Sequence, residues 1–354
     1  MKPLFKKMMY VLTASILMMT ACKKEPVITD DDPVTLPYET GVFVVNEGPF
    51  QSGSGTVTFF NRTTKEVRQD IFNAENNRPL GNIVQSVTIY DGKAYIVVNN
   101  ASKVEVVTLK DFKSTGAINN ITMPRFLAGI TAQKAYVSDW SGNVNVVNLN
   151  SLTVSASINV GGAPDKMIIT GGKAYVLGSA GFTSDSTLHI INTATDSKLN
   201  TPVIGDNPSD MTMDINGKIW IICGGISDWS NPANNTNATL VRLNPSTDAV
   251  EQSFDLGSTH FGAKITCNSD KTKIYYTLSG GVYEMAVNAA QVPASPVINK
   301  SYYALGFDNV SGLLYGADPK DYTGDGWIYR YNPSGFAVAD SFRAGIIPTG
   351  FAFN

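Results

Sequence analysis

Two tetrapeptides, Ser138-Asp139-Trp140-Ser141 and Ser227-Asp228-Trp229-Ser230, place an indole between a carboxylate and a hydroxyl at two separate points of the chain. Indoles grip flat ligands by stacking and area burial while polar neighbours serve the ligand's edge, so the chemistry on offer is binding. Repeat ancestry alone would also duplicate such a unit. The segment Asp318-Pro-Lys-Asp321-Tyr-Thr-Gly324-Asp325-Gly326 holds three carboxylates in a glycine-bearing turn. Hard oxygens of that kind suit calcium, although the spacing departs from an EF-hand loop, and an acidic solvated turn is the other reading. With only two histidines, His189 and His260, and cysteines at 22, 223 and 267, a metalloenzyme built on histidines is nearly ruled out. His260 is a candidate for metal coordination or hydrogen bonding, with a structural role as the alternative; His189 falls in a strand and reads as structural. Cys223 and Cys267 are expected as two buried thiols, with a disulfide as the alternative. Nucleophile elbow, phosphate-binding loop, dinucleotide fingerprint and zinc-protease helix are all missing, and no local motif pairs two acids. The residues therefore point to neither an enzyme nor a cofactor.

Such residues need elements to hold them, and the elements repeat. Gly92-Lys93-Ala94-Tyr95-Ile96-Val97 returns as Lys134-Ala135-Tyr136-Val137 and Gly172-Lys173-Ala174-Tyr175-Val176. Weaker copies carry Phe43, Trp220, Tyr275 and Tyr315 at the aromatic position, which makes seven anchors spaced 52, 41, 39, 45, 55 and 40 residues apart. That period suits one four-stranded propeller blade. Residues 124–158 show the unit: PRFLAGIT, KAYVSD, NVNVVNL and TVSASI are four strands broken at Gln133, Ser141-Gly142 and Asn150-Ser151. No stretch beyond residue 38 keeps a helical period. The fold expected is an all-β, seven-bladed β-propeller.

The two ends of the repeat are complementary. Residues 348–353 (PTGFAF) look like the first strands at Pro124, Pro164 and Pro208, yet no second strand follows, whereas the first blade begins directly at its second strand, 42–46. Pairing 348–353 with 42–46 completes seven sheets and leaves no open edge, so the domain runs from 39 to 354.

In a propeller, the loops leading into each first strand and those joining second to third strands share one face. The second-to-third loops carry Asn46, Glu47 and Phe50, then Asn100, Trp140 and Phe182, then Trp229 and Tyr322. The loops leading into first strands add Arg125, Asp165 and Lys166, then Asp210 and His260. Polar and aromatic loops on rigid strands at one mouth form the expected ligand-binding surface, with capping of blade cores as the alternative for individual aromatics.

At the amino terminus, Lys2, Lys6 and Lys7 precede the apolar run 8–19, which ends in Met19-Thr20-Ala21-Cys22. Residues 1–21 read as a secretory signal too short to span a bilayer permanently. The Thr-Ala-Cys junction resembles a bacterial lipobox, so Cys22 is the expected lipidation site, and residues 22–38, with three prolines and three successive aspartates, an extended tether. The chain carries 27 basic and 30 acidic residues; without the three lysines of the signal the balance is 24 against 30. That net negative charge argues against nucleic acid as a partner.

The Gly-Lys-Ala-Tyr-Val units and the Gly-x-x-Pro that precedes first strands (Gly161 to Pro164, Gly205 to Pro208, Gly345 to Pro348) resemble the YncE-like seven-bladed propellers. More narrowly, GVFVVNEGPFQSGSGTVTFFN followed by RPLGNIVQSVTIYDGKAYIVVNN is similar to Bacteroidetes surface lipoproteins of this class, among them the corrinoid-capturing BtuG type. The resemblance implies a protein anchored in the outer membrane and displayed at the cell surface. It implies capture of a corrinoid, cobalamin or cobinamide, and its transfer to a TonB-dependent outer-membrane transporter. A surface module binding protein or glycan is the alternative from another class, and a propeller lyase or hydrolase a third.

Overall fold

The computed structural model describes residue 38 and residues 40–354, apart from 180 and 182. The expected signal, tether and lipidation site at Cys22 lie outside the described residues, as does Phe182. The described chain is all-β, with seven antiparallel blades. Blade 3 consists of Pro124–Thr131, Lys134–Asp139, Asn143–Asn148 and Thr153–Asn159, within a residue of the strands read from the sequence. Second strands are buried on both faces because each blade is sandwiched between neighbours: Tyr95 and Val97 of blade 2 share one cluster with Leu127, Ala135 and Val137 of blade 3. Outer strands, such as Ser197–Asn200, face water.

The repeated Lys-Ala-Tyr unit has a specific cause. In blade 3 the Lys134 ammonium lies 2.9 Å from Asp196, on the far turn of blade 4, and the Tyr136 hydroxyl donates to the same carboxylate. Blade 4 repeats the clasp on blade 5, with Lys173 and Tyr175 both 2.6 Å from Asp248. Lysine and tyrosine two residues apart share a strand face, so one carboxylate of the next blade satisfies both.

Pro348–Phe353 pairs with Gly41–Asn46, from Val42 opposite Phe353 to Asn46 opposite Pro348. It is the innermost strand of blade 1, followed outward by Thr56–Asn61 and Val67–Arg68. The inner strands Val84–Tyr90, Pro124–Thr131, Pro164–Thr170, Pro208–Met213, Ile265–Cys267, Ala304–Asp308 and Pro348–Phe353 neighbour one another in that order, and the last returns to the first. The ring is closed.

Two details depart from a uniform repeat. In blade 6 the three strands Ile265–Cys267, Lys273–Leu278 and Gly281–Ala286 carry a fourth reduced to a single bridge, Val282 to Ile298, because Pro293 and Pro296 have no N–H to give a ladder. A six-residue helix, Ile71–Asn76, leads from blade 1 towards blade 2 and is held by buried Ile71 and Phe72.

Candidate functional site

Pairing between first and second strands slips near the same end of five inner strands: at Val84/Ser86, Pro124/Leu127, Pro164/Met167, Pro208/Asp210 and opposite Val45/Asn46. Proline suits these starts, since no ladder bond is asked of its nitrogen. A bulge leaves residues unpaired and re-aims their side chains. The residues freed here are Gln85, Arg125 with Phe126, Asp165 with Lys166, Ser209 and Thr349, and they line the mouth of one cavity of about 1660 Å³ that continues along the channel past Thr88, Gly129 and Ile169.

These side chains clasp one another across blades. Arg125 of blade 3 donates from Nη1 to Gln85 of blade 2 and from Nε, at 2.9 Å, to Asp165 of blade 4. Its guanidinium lies 3.9 Å from the ring centre of Trp140, whose indole N–H donates to Asp165 at 2.9 Å. Lys166 of blade 4 pairs with Asp210 of blade 5, whose other oxygen accepts the backbone N–H of Ile265 in blade 6 at 3.1 Å. A belt of charge-assisted bonds thus runs round the mouth from blade 2 to blade 6.

The duplicated Ser-Asp-Trp-Ser unit is a local turn. Asp139 accepts from the N–H and hydroxyl of Ser141, and Asp228 does the same for Ser230, so each unit turns the chain at its tryptophan. The two indoles then differ: Trp140 is held by Arg125 and Asp165, whereas Trp229 is 94% exposed. Phe261 at 93%, Phe50 at 70% and Tyr322 at 50% exposure join Trp229 around the same opening, with Tyr322 edge-on to Tyr303 at 5.7 Å.

Of the residues expected at this face, Glu47, Phe50, Asn100, Arg125, Trp140 and Asp165 line the cavity, as do Lys166, Asp210, Trp229, His260 and Tyr322. Asn100 donates to Asn82 at 2.8 Å, and burial lowers the His260 pKa. Asn46 is a correction. It is fully buried, donates to Thr56 and Thr58 at 3.1 and 3.0 Å and accepts from the Gly345 N–H, which leaves it no part in the mouth.

The calcium expectation is corrected as well. Asp318 is paired with Lys300 at 2.6 Å and Lys320 at 3.0 Å, which outweigh its burial and hold its pKa low. Asp321 caps the N–H groups of Thr323 and Gly324, and Asp325 pairs with Arg343 at 2.8 Å. The three carboxylates turn to separate partners, and among the described residues no cluster of metal-ligating side chains forms. Cys223 and Cys267 are free and buried, with burial raising their pKa values to about 12 and about 11.

Gln85, Lys264 and Thr349 belong to the lining but escape a motif search. For Gln85 and Thr349 the available signal was position, since each stands at the slip where other blades carry Arg125 or Asp165.

A family model described as a domain of unknown function, DUF5074, matches residues 40–301. No curated protein matches the chain. Among solved structures, a quinonprotein alcohol dehydrogenase-like protein from Bacteroides thetaiotaomicron VPI-5482 is similar at a TM-score of 0.69 and 14% identity, over 89% of this chain and 78% of the other. A candidate 6-phosphogluconolactonase from Bacteroides fragilis NCTC 9343 follows at 0.64 and 15%, over 91% and 100%. The WD40 domain of Neurospora crassa Pan2 is similar at 0.58 and 9%, over 78% and 82%. At such identities the likeness is one of fold, and chemistry has to be argued from the site.

Proposed function

The chain belongs to the DUF5074 family, and on that premise we propose that it is a non-enzymatic capture protein whose propeller mouth holds a large small-molecule ligand. One observation carries this reading: a single concavity of about 1660 Å³ rimmed by the exposed rings of Phe50, Trp229, Phe261 and Tyr322. Ordinary small-molecule sites occupy about 300–1,000 Å³. Mouth and channel together exceed that range, and the ring of aromatics at the rim suits a broad ligand laid across the opening. The belt through Arg125, Asp165, Lys166 and Asp210 supports the same reading, because charges satisfied by one another form a rigid, preorganised wall.

The occupant we propose is a corrinoid, cobalamin or cobinamide, whose flat ring and amide-bearing edge ask for aromatic anchors ringed by hydrogen-bonding groups. Lipidation at Cys22 would tether the propeller to the outer membrane, at the cell surface, for transfer of the ligand to a TonB-dependent transporter. Absorbance-difference titration of the chain with cobalamin and cobinamide tests the ligand, with saturable binding at one site per chain expected. No spectral change with either corrinoid would overturn it. Fatty-acid labelling tests the anchor: Cys22→Ser should abolish incorporation, and unchanged labelling rules that cysteine out.

A further inference from the structure

The charges that line the mouth are not all paired. Arg125 holds Asp165, Lys166 holds Asp210, and Asp318 takes Lys300 and Lys320. Two lining charges have no ion-pair partner among the described residues, Glu47 of blade 1 and Lys264 of blade 6, and both are only half exposed. They feel one another electrostatically without touching. Between them, on blade 7, lie Tyr303 and Tyr322, one ring edge-on to the other. Burial raises the Glu47 pKa, while Thr349, Arg125 and Lys264 pull it down. The belt that ties blades 2 to 6 stops where this sector begins.

A half-buried charge without a counter-charge is costly, and a ligand group that supplies the counter-charge removes the cost. Here the two open charges have opposite signs and face one cavity. We propose that the sector from blade 6 to blade 1 is a dipolar subsite, which takes a ligand segment bearing an anion, a phosphoester or carboxylate, on Lys264 and an ammonium or amide N–H on Glu47. The tyrosine hydroxyls between them serve the polar atoms that join the two ends. The subsite rests on the capture reading for its place in function, but its chemistry can be probed without any corrinoid.

The probe is glycerophosphoethanolamine, which carries a phosphodiester anion and an ammonium in one short segment, titrated against the full chain by saturation-transfer NMR. Saturable binding that weakens with added salt is expected, with Kd raised at least fivefold in both Lys264→Met and Glu47→Gln and returned towards wild type in Lys264→Arg. Neither side chain has an ion pair to lose, so melting temperatures should stay close to wild type. A wild-type chain blind to the probe, binding insensitive to salt, or variants changed less than fivefold would each overturn the subsite. Failure of the two readings is distinguishable. A chain that binds the probe but no corrinoid keeps the subsite and loses the corrinoid. A chain whose corrinoid affinity and probe affinity are both untouched by the two variants keeps the corrinoid and loses the subsite.

Discussion

Trp140 and Trp229 occupy the same tetrapeptide but face different surroundings, and their truncations should separate accordingly. Trp229 is almost wholly exposed, so Trp229→Ala should leave the melting temperature unchanged while weakening ligand binding by roughly 1–3 kcal/mol, the scale of a hot-spot truncation. Trp140→Ala removes the ring beneath Arg125 and a donor to Asp165, so it should cost both affinity and about 1–2 kcal/mol of stability. Calorimetry and thermal melting on the two variants check this, and identical behaviour would show that the belt does not depend on the indole. His189 gives a second prediction. Both of its ring nitrogens are buried without partners, and burial lowers its pKa to about 4 from the ordinary 6.5. The unfolded chain therefore takes up a proton between pH 6.5 and 4 that the folded chain refuses, so the stability contributed is complete above 6.5 and falls as pH drops towards 4, by up to roughly 3 kcal/mol. His189→Leu should flatten the acid limb of the melting curve; parallel curves for the two proteins would contradict it. At this scale the sequence conveyed residue types well and partners poorly. Asp321 and Asp325 looked like ligands because spacing cannot reveal that a turn N–H and Arg343 already hold them.

Among the elements, the last strand does the most for its length. Removing residues 348–354 exposes the edge of Gly41–Asn46, uncovers the inner face of blade 1 and deprives blades 2 and 7 of a neighbour. The loss should be at least about 3 kcal/mol on the scale of buried area, read as a lowered urea midpoint, and a truncated chain that unfolds with the intact one would refute the closure. Strands were legible wherever apolar alternation met the Lys-Ala-Tyr unit, as in blade 3. Closure was legible because the two ends lack complementary strands. The helix Ile71–Asn76 was not, since six residues give too little of a period and it depends on Ile71 and Phe72 finding a core. Nor was the reduced outer strand of blade 6, although Pro293 and Pro296 were there to be read.

For the whole molecule, the closed ring of inner strands makes the mouth a property of the assembly and of no single blade. Gln85, Arg125 and Asp165 come from three blades, and each bonded pair is 40 residues apart in sequence, which is why the belt could not be seen in any local motif. A circular permutant joining residue 354 to residue 40 and opened between blades 3 and 4 should keep the ligand affinity of the parent while moving the closure elsewhere; loss of binding with an unchanged fold would argue that the mouth needs the closure at blade 1. The pairing of Val42 with Phe353 also sets a timetable. Chains are made from the amino end, so the strand from Gly41 to Asn46 is among the first of the domain to emerge and waits for a partner made some three hundred residues later. Six blades can assemble on nearest-neighbour contacts while the ring stays open, and closing a loop of some three hundred residues comes last, at an entropic cost that grows only slowly with length. Until then one edge remains available to any strand that passes, its own or a neighbour's. A chain cut before Pro348 therefore has nearly every blade in place and cannot shut.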